Sequence, residues 1–214
     1  MNFFAHAVLA AEHNADSGYV LGSMFPDFCT MAGLKSRSTG HPLVDAGIAH
    51  HHLVDDVFHG STGFVGWMGR SRDELEDAGL GLGPAMAVAH VGVELILDGW
   101  LSETESRQTV YREALNLGAE LELELGDEGP RLRRLARRLV DAPFPEGYVE
   151  PDFVAERLRR ILAPRPRLAL DESSFETVQA WARRARDEAP QLAPALMVEV
   201  RDRLASRIDF RQPE

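Results

Sequence analysis

Cysteine is nearly absent, since Cys29 is the only one among 214 residues. A single thiol cannot form a disulfide within the chain, and no thiolate cluster is available for a structural zinc finger. An isolated cysteine is more typical of a small buried hydrophobic residue than of a nucleophile. This cysteine usage suits a reducing compartment, and we expect a cytoplasmic protein.

Positive charge is also scarce, with 23 Lys and Arg residues against 34 Asp and Glu residues and a net charge of −11. Nucleic-acid affinity depends on neutralising phosphates with Lys and Arg, so we expect no nucleic-acid partner. The arginines are concentrated in segments 131–138 and 157–167, which either dock an acidic protein or form solvated helix faces. No apolar run approaches the roughly 18 residues needed to cross a bilayer, so no transmembrane segment is expected.

Apolar residues recur at helical spacing along most of the chain, and two-residue alternation is almost absent. The pattern predicts helices at residues 3–13, 42–59, 84–100, 103–121, 130–140, 151–162, 173–188 and 193–208. Between the first two helices, LGSMFPDF (21–28) contains Gly and Pro and predicts a turn that ends near Asp27. We therefore predict an all-α fold, with residues 1–214 forming one domain, a helical bundle.

The segment richest in histidine is GIAHHHLVDDVFH, residues 47–59. On a helix, with about 100° between successive residues, His51 and Asp55 project together toward the apolar face. A buried ionised carboxylate is costly unless it is paired or binds a metal, so this pair is a candidate metal site. His50 also faces the apolar side and is interpreted as a neutral core histidine. The polar face holds three residues that are expected to be solvated: His52, Asp56 and His59.

A second candidate lies in AMAVAHVGVELILDGWL (85–101), which is apolar almost all round and therefore predicts a buried helix. His90, Glu94 and Asp98 follow one another along it at four-residue spacing. They either form a polar network that joins helices or serve metal binding or acid–base catalysis. We predict the functional role for His90 and Glu94, and the network role for Asp98, which lies near the helix end.

His6 and Asp27 complete the candidate set, with a satisfied core histidine and a helix N-cap as the alternative interpretations. The predicted metal ligands are His6, Asp27, His51, Asp55, His90 and Glu94. Imidazole favours Zn, Fe or Mn and carboxylate favours Mn or Mg, so this set suits one or two divalent ions. Such an ion activates water and stabilises a phosphoryl oxygen, and the predicted catalytic residues are Asp55, His90 and Glu94.

Three segments resemble the acyl carrier protein phosphodiesterase family in order and approximate spacing: MNFFAH (1–6), GSMFPDF (22–28) and GIAHHHLVD (47–55). The resemblance implies an all-helical fold related to the HD-domain metal phosphohydrolases. It also implies a divalent ion, typically manganese, and cleavage of phosphopantetheine from a serine of the carrier protein. Carried over by position, it places five residues in the site: Asn2, His6, Asp27, His51 and Asp55.

The chain departs from the family pattern at several positions. His52 replaces an Arg that follows the motif histidine, Ser23 replaces an Asn, and Pro26 is additional. Val93 and Glu94 stand where the family has an Asp-His pair. These differences affect the predicted substrate more than the predicted metal scaffold.

Three functions agree with these features. The first is a metal-dependent phosphodiesterase that uses metal-activated water, with holo-acyl carrier protein or a small phosphate ester as its substrate. The second keeps the metal but hydrolyses a phospholipid or a nucleotide phosphate ester. The third is a non-catalytic helical protein in which the His and acidic residues form a buried network.

Overall fold

The computed structural model describes residues 1–103 and 105–209, and for residues 105–107 and 209 it describes the backbone alone. Within these ranges the chain forms nine α-helices and two short 3-10 turns, and the same residues contain no β-strand. The helices are α1 Phe3–His13, α2 Ser17–Met31, α3 Pro42–His59, α4 Thr62–Asp77, α5 Leu82–Ser102, α6 Glu105–Glu120, α7 Gly129–Val140, α8 Pro151–Leu162 and α9 Glu172–Asp209. The 3-10 turns are Gly126–Glu128 and Glu146–Val149. The predicted all-α fold is confirmed.

Most predicted helices agree with the structure, and α1, α3 and α8 begin and end at the predicted residues. The sequence pattern does not predict α4, because glycines interrupt its apolar spacing. This helix nevertheless buries side chains at helical spacing, namely Phe64, Trp67, Ser71 and Leu75. Packing of that buried face therefore outweighs the low helix propensity of glycine.

The turn predicted at residues 21–28 is wrong, since α2 continues through this segment with Pro26 inside it. Asp16 caps the helix, because its carboxylate accepts a hydrogen bond from the Gly18 N–H at 2.8 Å. A proline inside a helix removes a backbone hydrogen bond at a cost of about 3 kcal/mol. Burial of most of α2 offsets this cost. Asp27 consequently lies inside a helix and is not an N-cap.

The two helices predicted at 173–188 and 193–208 form the single helix α9, which contains Pro190 and Pro194. Both prolines are exposed. The buried residues of the same stretch keep helical spacing through both positions: Ala189, Ala193, Leu196 and Val200. Continuous burial of this face outweighs the two backbone hydrogen bonds that the prolines remove.

The helices divide between two compact units, each formed by two separate stretches of the chain. Unit 1 comprises Met1–Asp56 and Thr104–Phe144, and unit 2 comprises Val57–Glu103 and Pro145–Glu214. Unit 1 contains α1, α2, most of α3, α6 and α7, whereas unit 2 contains the end of α3 together with α4, α5, α8 and α9. A single domain over residues 1–214 stays a prediction.

In unit 1, α1 packs against α2 and α6, and α6 packs against α7. Aromatic rings fill this core, where Phe4 meets Tyr111 edge to face at 5.3 Å and Phe3 stacks on Tyr111 at 6.1 Å between centroids. Most of α1 is buried. His6 is one of the buried residues of α1, so its imidazole lies inside this core.

In unit 2, α5 packs against α4, α8 and α9. Gly92 lets α9 approach α5 closely, because a Cβ at this position would overlap the indole ring of Trp181. By length and composition alone, α5 could cross a membrane, and 67% of its apolar window is buried within the protein. Buried core helices have the same length and composition.

Candidate metal centre

A close contact between α2 and α3 determines the geometry of the first group of ligand-type residues, in unit 1. A Cβ added to Gly22 would overlap the carbonyl oxygen of Val44, and one added to Gly47 would overlap the carbonyl oxygen of Tyr19. Only glycine at both positions allows the two helix backbones to approach this closely. The contact brings the backbone of α2 beside the histidines of α3.

His51 of α3 is buried, with 4% of its surface exposed. Its Nδ1 lies 2.8 Å from the carbonyl oxygen of Ser23, the residue that follows Gly22. A carbonyl oxygen can only accept, so Nδ1 carries the proton and donates it, which leaves Nε2 to face other groups. Nε2 lies 3.4 Å from Oδ2 of Asp55, one turn further along α3. The His51–Asp55 pairing that helical spacing predicts is present.

His6 of α1 is fully buried, and its ring stacks on that of His51 with 3.9 Å between centroids. Its Nε2 lies 3.2 Å from Oδ1 of Asp55, within ion-pair distance. Neither ring nitrogen, however, has hydrogen-bond geometry to a partner among the described residues. Burial lowers the pKa of His6 to about 3, so the imidazole is neutral and keeps a lone pair on one nitrogen. A neutral imidazole is the form that binds metal ions.

Asp27 of α2 joins the two histidines. One ligand atom from each of His6, Asp27 and His51 lies within 4.8 Å of the other two. Burial alone would lower the pKa of His51, but the carboxylates of Asp55 and Asp27 raise it. Two imidazole nitrogens and a carboxylate oxygen at this spacing can hold one divalent ion.

Asp55 lies beside this group. Its Oδ1 accepts a hydrogen bond from the N-terminal ammonium of Met1 at 2.9 Å, and its two oxygens face His6 and His51. Burial alone would raise the pKa of Asp55, but the imidazoles of His51 and His6 and the ammonium lower it well below its usual range. The carboxylate is therefore ionised. With 33% of its side chain exposed, it is also accessible to solvent.

A second group of ligand-type residues lies in unit 2. His59, the last residue of α3, and His90 of α5 each place Nε2 3.2 Å from Oε1 of Glu94. Their rings stack with 5.1 Å between centroids. Burial alone would raise the pKa of Glu94, but neighbouring positive charge and hydrogen bonds to the two imidazoles hold it below its usual range. One ligand atom from each of the three residues lies within 4.8 Å of the other two.

The predicted ligand set therefore divides between two groups. The structure brings together His6, Asp27, His51 and Asp55 in unit 1, and it brings together His90 and Glu94 in unit 2. The expectation that His59 is solvated is met only in part, because 34% of its side chain is exposed while its Nε2 contacts Glu94. A helical projection assigns His59 to the polar side of α3. Such a projection describes one helix only, so it cannot show that α5 places Glu94 beside His59.

The other residues of the histidine-rich helix agree with their predicted environments. His52 and Asp56 are exposed. His50 is buried, and its ring packs against those of His13 and Tyr19 with 5.6 and 5.4 Å between centroids. Burial lowers the pKa of His50 to about 4, so it is the neutral core histidine that the sequence predicts.

Asp98 and Asn2 were singled out in the sequence, whereas the contact made by Ser23 was not. Asp98 is fully buried in α5 and belongs to neither group. Asn2, which the family resemblance places in the site, is the N-cap residue of α1 and makes no side-chain cap hydrogen bond. The carbonyl of Ser23 was not predicted, because any residue type can offer a backbone acceptor. The only sequence signal for it is the presence of glycine at positions 22 and 47.

The two arginine-rich segments differ in how their charges are used. Arg159 of α8 pairs with Glu156 at 2.9 Å. On α7, Arg134 and Arg138 are exposed, and no described carboxylate lies within ion-pair distance of them. Together with Arg131 they line a surface groove, which we call the α7 groove. Of the two segments, α7 is therefore the better candidate for docking an acidic partner.

No family model, curated protein or solved structure matches the chain. The resemblance of residues 1–55 to acyl carrier protein phosphodiesterases stays a prediction, as does an HD-like arrangement of the helices. The chain is an all-α protein that carries two groups of His, Asp and Glu side chains with the spacing of metal ligands.

Proposed function

We propose that the protein is a metal-dependent phosphodiesterase whose divalent ion is held in unit 1 by His6, Asp27 and His51. The observation that carries this proposal is the convergence of two imidazoles and one carboxylate, from three different helices, within 4.8 Å. The family resemblance selects the same three residues from the sequence and suggests the reaction, which is hydrolysis of a phosphate ester.

Two features of these residues fit a divalent ion. His6 is fully buried, yet neither ring nitrogen has hydrogen-bond geometry to a described residue. His51 donates Nδ1–H to a backbone carbonyl, which is how metal-binding histidines are commonly oriented. Mixed imidazole and carboxylate ligands suit Mn, Zn or Fe, and we propose manganese first because the resembling family uses it. Such an ion lowers the pKa of water and neutralises charge on a phosphoryl oxygen.

Asp55 is the residue that we assign to orienting the attacking water. Its carboxylate is ionised, lies 3.2 Å from His6 and 3.4 Å from His51, and is accessible to solvent. It can therefore accept a hydrogen bond from water and orient that water beside the two imidazoles. His90 and Glu94, which the sequence predicts as catalytic, belong to the group in unit 2, and we assign them no role in this step.

The substrate that we propose is the phosphopantetheine ester of an acyl carrier protein. The resemblance suggests it, and the exposed arginines of the α7 groove fit an acidic protein surface. Because the chain as a whole carries a net charge of −11, an acidic partner needs a local basic surface of this kind. A phospholipid or nucleotide phosphate ester remains the alternative substrate for the same metal site.

Hydrolysis of bis(p-nitrophenyl) phosphate tests the proposal. Protein stripped of metal is reloaded in turn with Mn²⁺, Zn²⁺ or Mg²⁺, and turnover is compared with that of the stripped protein. We expect ion-dependent turnover that falls by at least about 100-fold in His51→Ala and in Asp55→Asn. His13→Ala is the matched control, because His13 is an exposed histidine at the end of α1 and should not affect turnover. Holo-acyl carrier protein is the next substrate.

Two results would contradict the proposal. Turnover that survives metal removal, or that is equal in His51→Ala and the wild type, would exclude this group as the catalytic site. Absence of bound metal after incubation with Mn²⁺ and Zn²⁺, with lower thermal stability in both variants, would instead favour a non-catalytic helical protein with a buried polar network.

A further inference from the structure

We propose that His59, His90 and Glu94 form a metal site of their own within unit 2, suited to a first-row divalent ion such as Zn²⁺. The site uses none of the ligands assigned to the phosphodiesterase reaction, so it does not depend on that proposal. His59 is the new member, since the sequence places it on a solvated helix face.

The distances between the donor atoms suit three ligands of one ion. The Nε2 atoms of His59 and His90 each lie 3.2 Å from Oε1 of Glu94. Ligands bound at about 2.0–2.1 Å in a tetrahedron lie about 3.3 Å from one another, close to both separations. Charge-assisted hydrogen bonds between nitrogen and carboxylate oxygen are shorter, at about 2.7–2.9 Å. Separations of 3.2 Å also lie at the long end of the ordinary hydrogen-bond range, so the same three side chains can pair with one another before an ion binds.

The helices of unit 2 hold these donors before an ion binds. His90 and Glu94 are one turn apart on α5, so their side chains lie on the same face of the helix. His59 ends α3, where the helix dipole places partial negative charge that favours a cation. Phe64 of α4 meets both imidazole rings edge-on, 5.4 Å from each centroid, and so restricts their orientation.

The same residues indicate what kind of ion the site takes. Two imidazoles and one carboxylate are the ligand set of catalytic zinc sites and of non-haem iron sites. Structural zinc sites use four protein ligands, whereas a three-ligand site leaves a position for water or substrate. The side chains of His59 and His90 are 34% and 43% exposed, so this position is open to solvent. We therefore assign an exchangeable ion that can also bind an anionic oxygen.

Zinc binding, measured by equilibrium dialysis and elemental analysis of untagged protein, tests the site. Glu94→Gln keeps the side-chain shape and removes its charge, and His59→Gln removes one imidazole. Each variant should lose one equivalent of zinc or bind it at least about tenfold more weakly than the wild type. His52→Ala is the matched control, because it removes an exposed histidine from the same helix and should leave zinc binding unchanged.

A second measurement covers the case in which Glu94→Gln does not fold. His59 is half-buried at a helix end, so His59→Gln is expected to keep the far-UV circular dichroism of the wild type. Co²⁺ replaces Zn²⁺ as a spectroscopic probe, and the visible bands of the wild-type complex should weaken in His59→Gln. Co²⁺ bands of equal intensity in the two proteins would overturn the assignment of His59 as a ligand.

The outcomes separate this inference from the proposed function. Zinc lost in His51→Ala but retained in His59→Gln and Glu94→Gln would overturn the inference and leave the phosphodiesterase site intact. Zinc lost in His59→Gln and Glu94→Gln but retained in His51→Ala would support the inference and contradict the site in unit 1. Loss of separate equivalents in the two sets of variants would support both.

Discussion

His51 and Ser23 are joined by a 2.8 Å hydrogen bond from Nδ1 of the imidazole to the backbone carbonyl oxygen. The bond links α3 to α2 within unit 1, and it forms because Gly22 and Gly47 allow the two helix backbones to touch. It determines the tautomer of the imidazole and leaves Nε2 facing Asp55. A packing feature therefore decides which nitrogen is available to an ion.

Gly47→Ala should separate α2 from α3, because the new Cβ would overlap the carbonyl oxygen of Tyr19. Overpacking of this kind lowers the free energy of unfolding by about 1–3 kcal/mol. The shift also moves the carbonyl of Ser23 away from His51, so we expect weaker metal binding in unit 1. Urea unfolding measures the first effect, and elemental analysis measures the second.

Gly69→Ala is the matched control for this substitution. Gly69 lies inside α4, and a Cβ added there meets nothing within 4 Å. Helix propensity predicts that this variant is more stable than the wild type by about 0.5–1 kcal/mol. If Gly47→Ala matched the wild type in both stability and metal content, the close helix contact would have no role in positioning His51.

Features that depend on one helix alone could be predicted from the sequence. The bounds of α3 agree with the apolar spacing, and the pairing of His51 with Asp55 follows from residues four apart on one helix face. The buried environment of His50 follows from the same projection. In each case the periodicity of a single helix contains the information.

Features that depend on packing between elements could not be predicted in this way. The segment 21–28 contains Gly and Pro, which favour a turn locally, yet its burial makes it helical. His59 is polar-facing on α3, and only the position of α5 brings Glu94 to it. The carbonyl of Ser23 has no side-chain signature. Tertiary contacts supply these features, and one sequence does not contain them in readable form.

Glu199 of α9 stabilises the N-terminus of α4 in unit 2. Its carboxylate accepts hydrogen bonds from the backbone N–H groups of Thr62 and Gly63, at 2.7 and 2.9 Å. Glu199→Ala leaves both groups without this acceptor and should lower the free energy of unfolding by about 1–2 kcal/mol. Glu188→Ala, an exposed acid on the same helix, should change it by less than about 0.5 kcal/mol. Chemical denaturation compares the two variants.

The same contact predicts a dependence of stability on pH. Burial alone would raise the pKa of Glu199, but the N–H groups of Gly63 and Thr62 lower it. A carboxylate with a depressed pKa stabilises the fold above its unfolded pKa of about 4.3, and this contribution is lost as the pH falls through the folded pKa. The stability difference between wild type and Glu199→Gln should therefore be full at about pH 7 and shrink below about pH 4. A difference that grew on acidification would contradict this account.

Substitutions in the α7 groove should affect the turnover of a large protein substrate but not that of a small ester. Replacing Arg134 and Arg138 by Glu reverses the charge of two exposed groups that have no ion-pair partner among the described residues. Turnover of holo-acyl carrier protein should then fall by about tenfold or more through weaker association, while turnover of bis(p-nitrophenyl) phosphate is unchanged. Arg70→Glu, an exposed arginine of α4, is the control and should affect neither. Equal carrier-protein turnover in the double variant and the wild type would exclude docking at the α7 groove.

Substitution of His6 tests whether this residue is a metal ligand or a structural histidine. Its ring is fully buried, and its nitrogens lack hydrogen-bond geometry to described residues. An apolar replacement removes the cost of burying these polar atoms, so metal-free His6→Phe or His6→Leu should be about as stable as the metal-free wild type. The stabilisation that an ion gives, about 2.7 kcal/mol at 100 times its dissociation constant, should disappear in both variants.

Thermal unfolding with and without Mn²⁺ measures this difference, and a Glu94→Gln background removes the contribution of the group in unit 2. His13→Phe is the matched control, because it changes an exposed histidine of the same helix and should keep the ion-dependent increase in Tm. A large loss of stability in the metal-free His6 variants, with the ion-dependent increase retained, would mean that the imidazole supports the core and binds no ion. Loss of the increase alone is expected for a ligand, because an ion stabilises only the folded state that holds its ligands together.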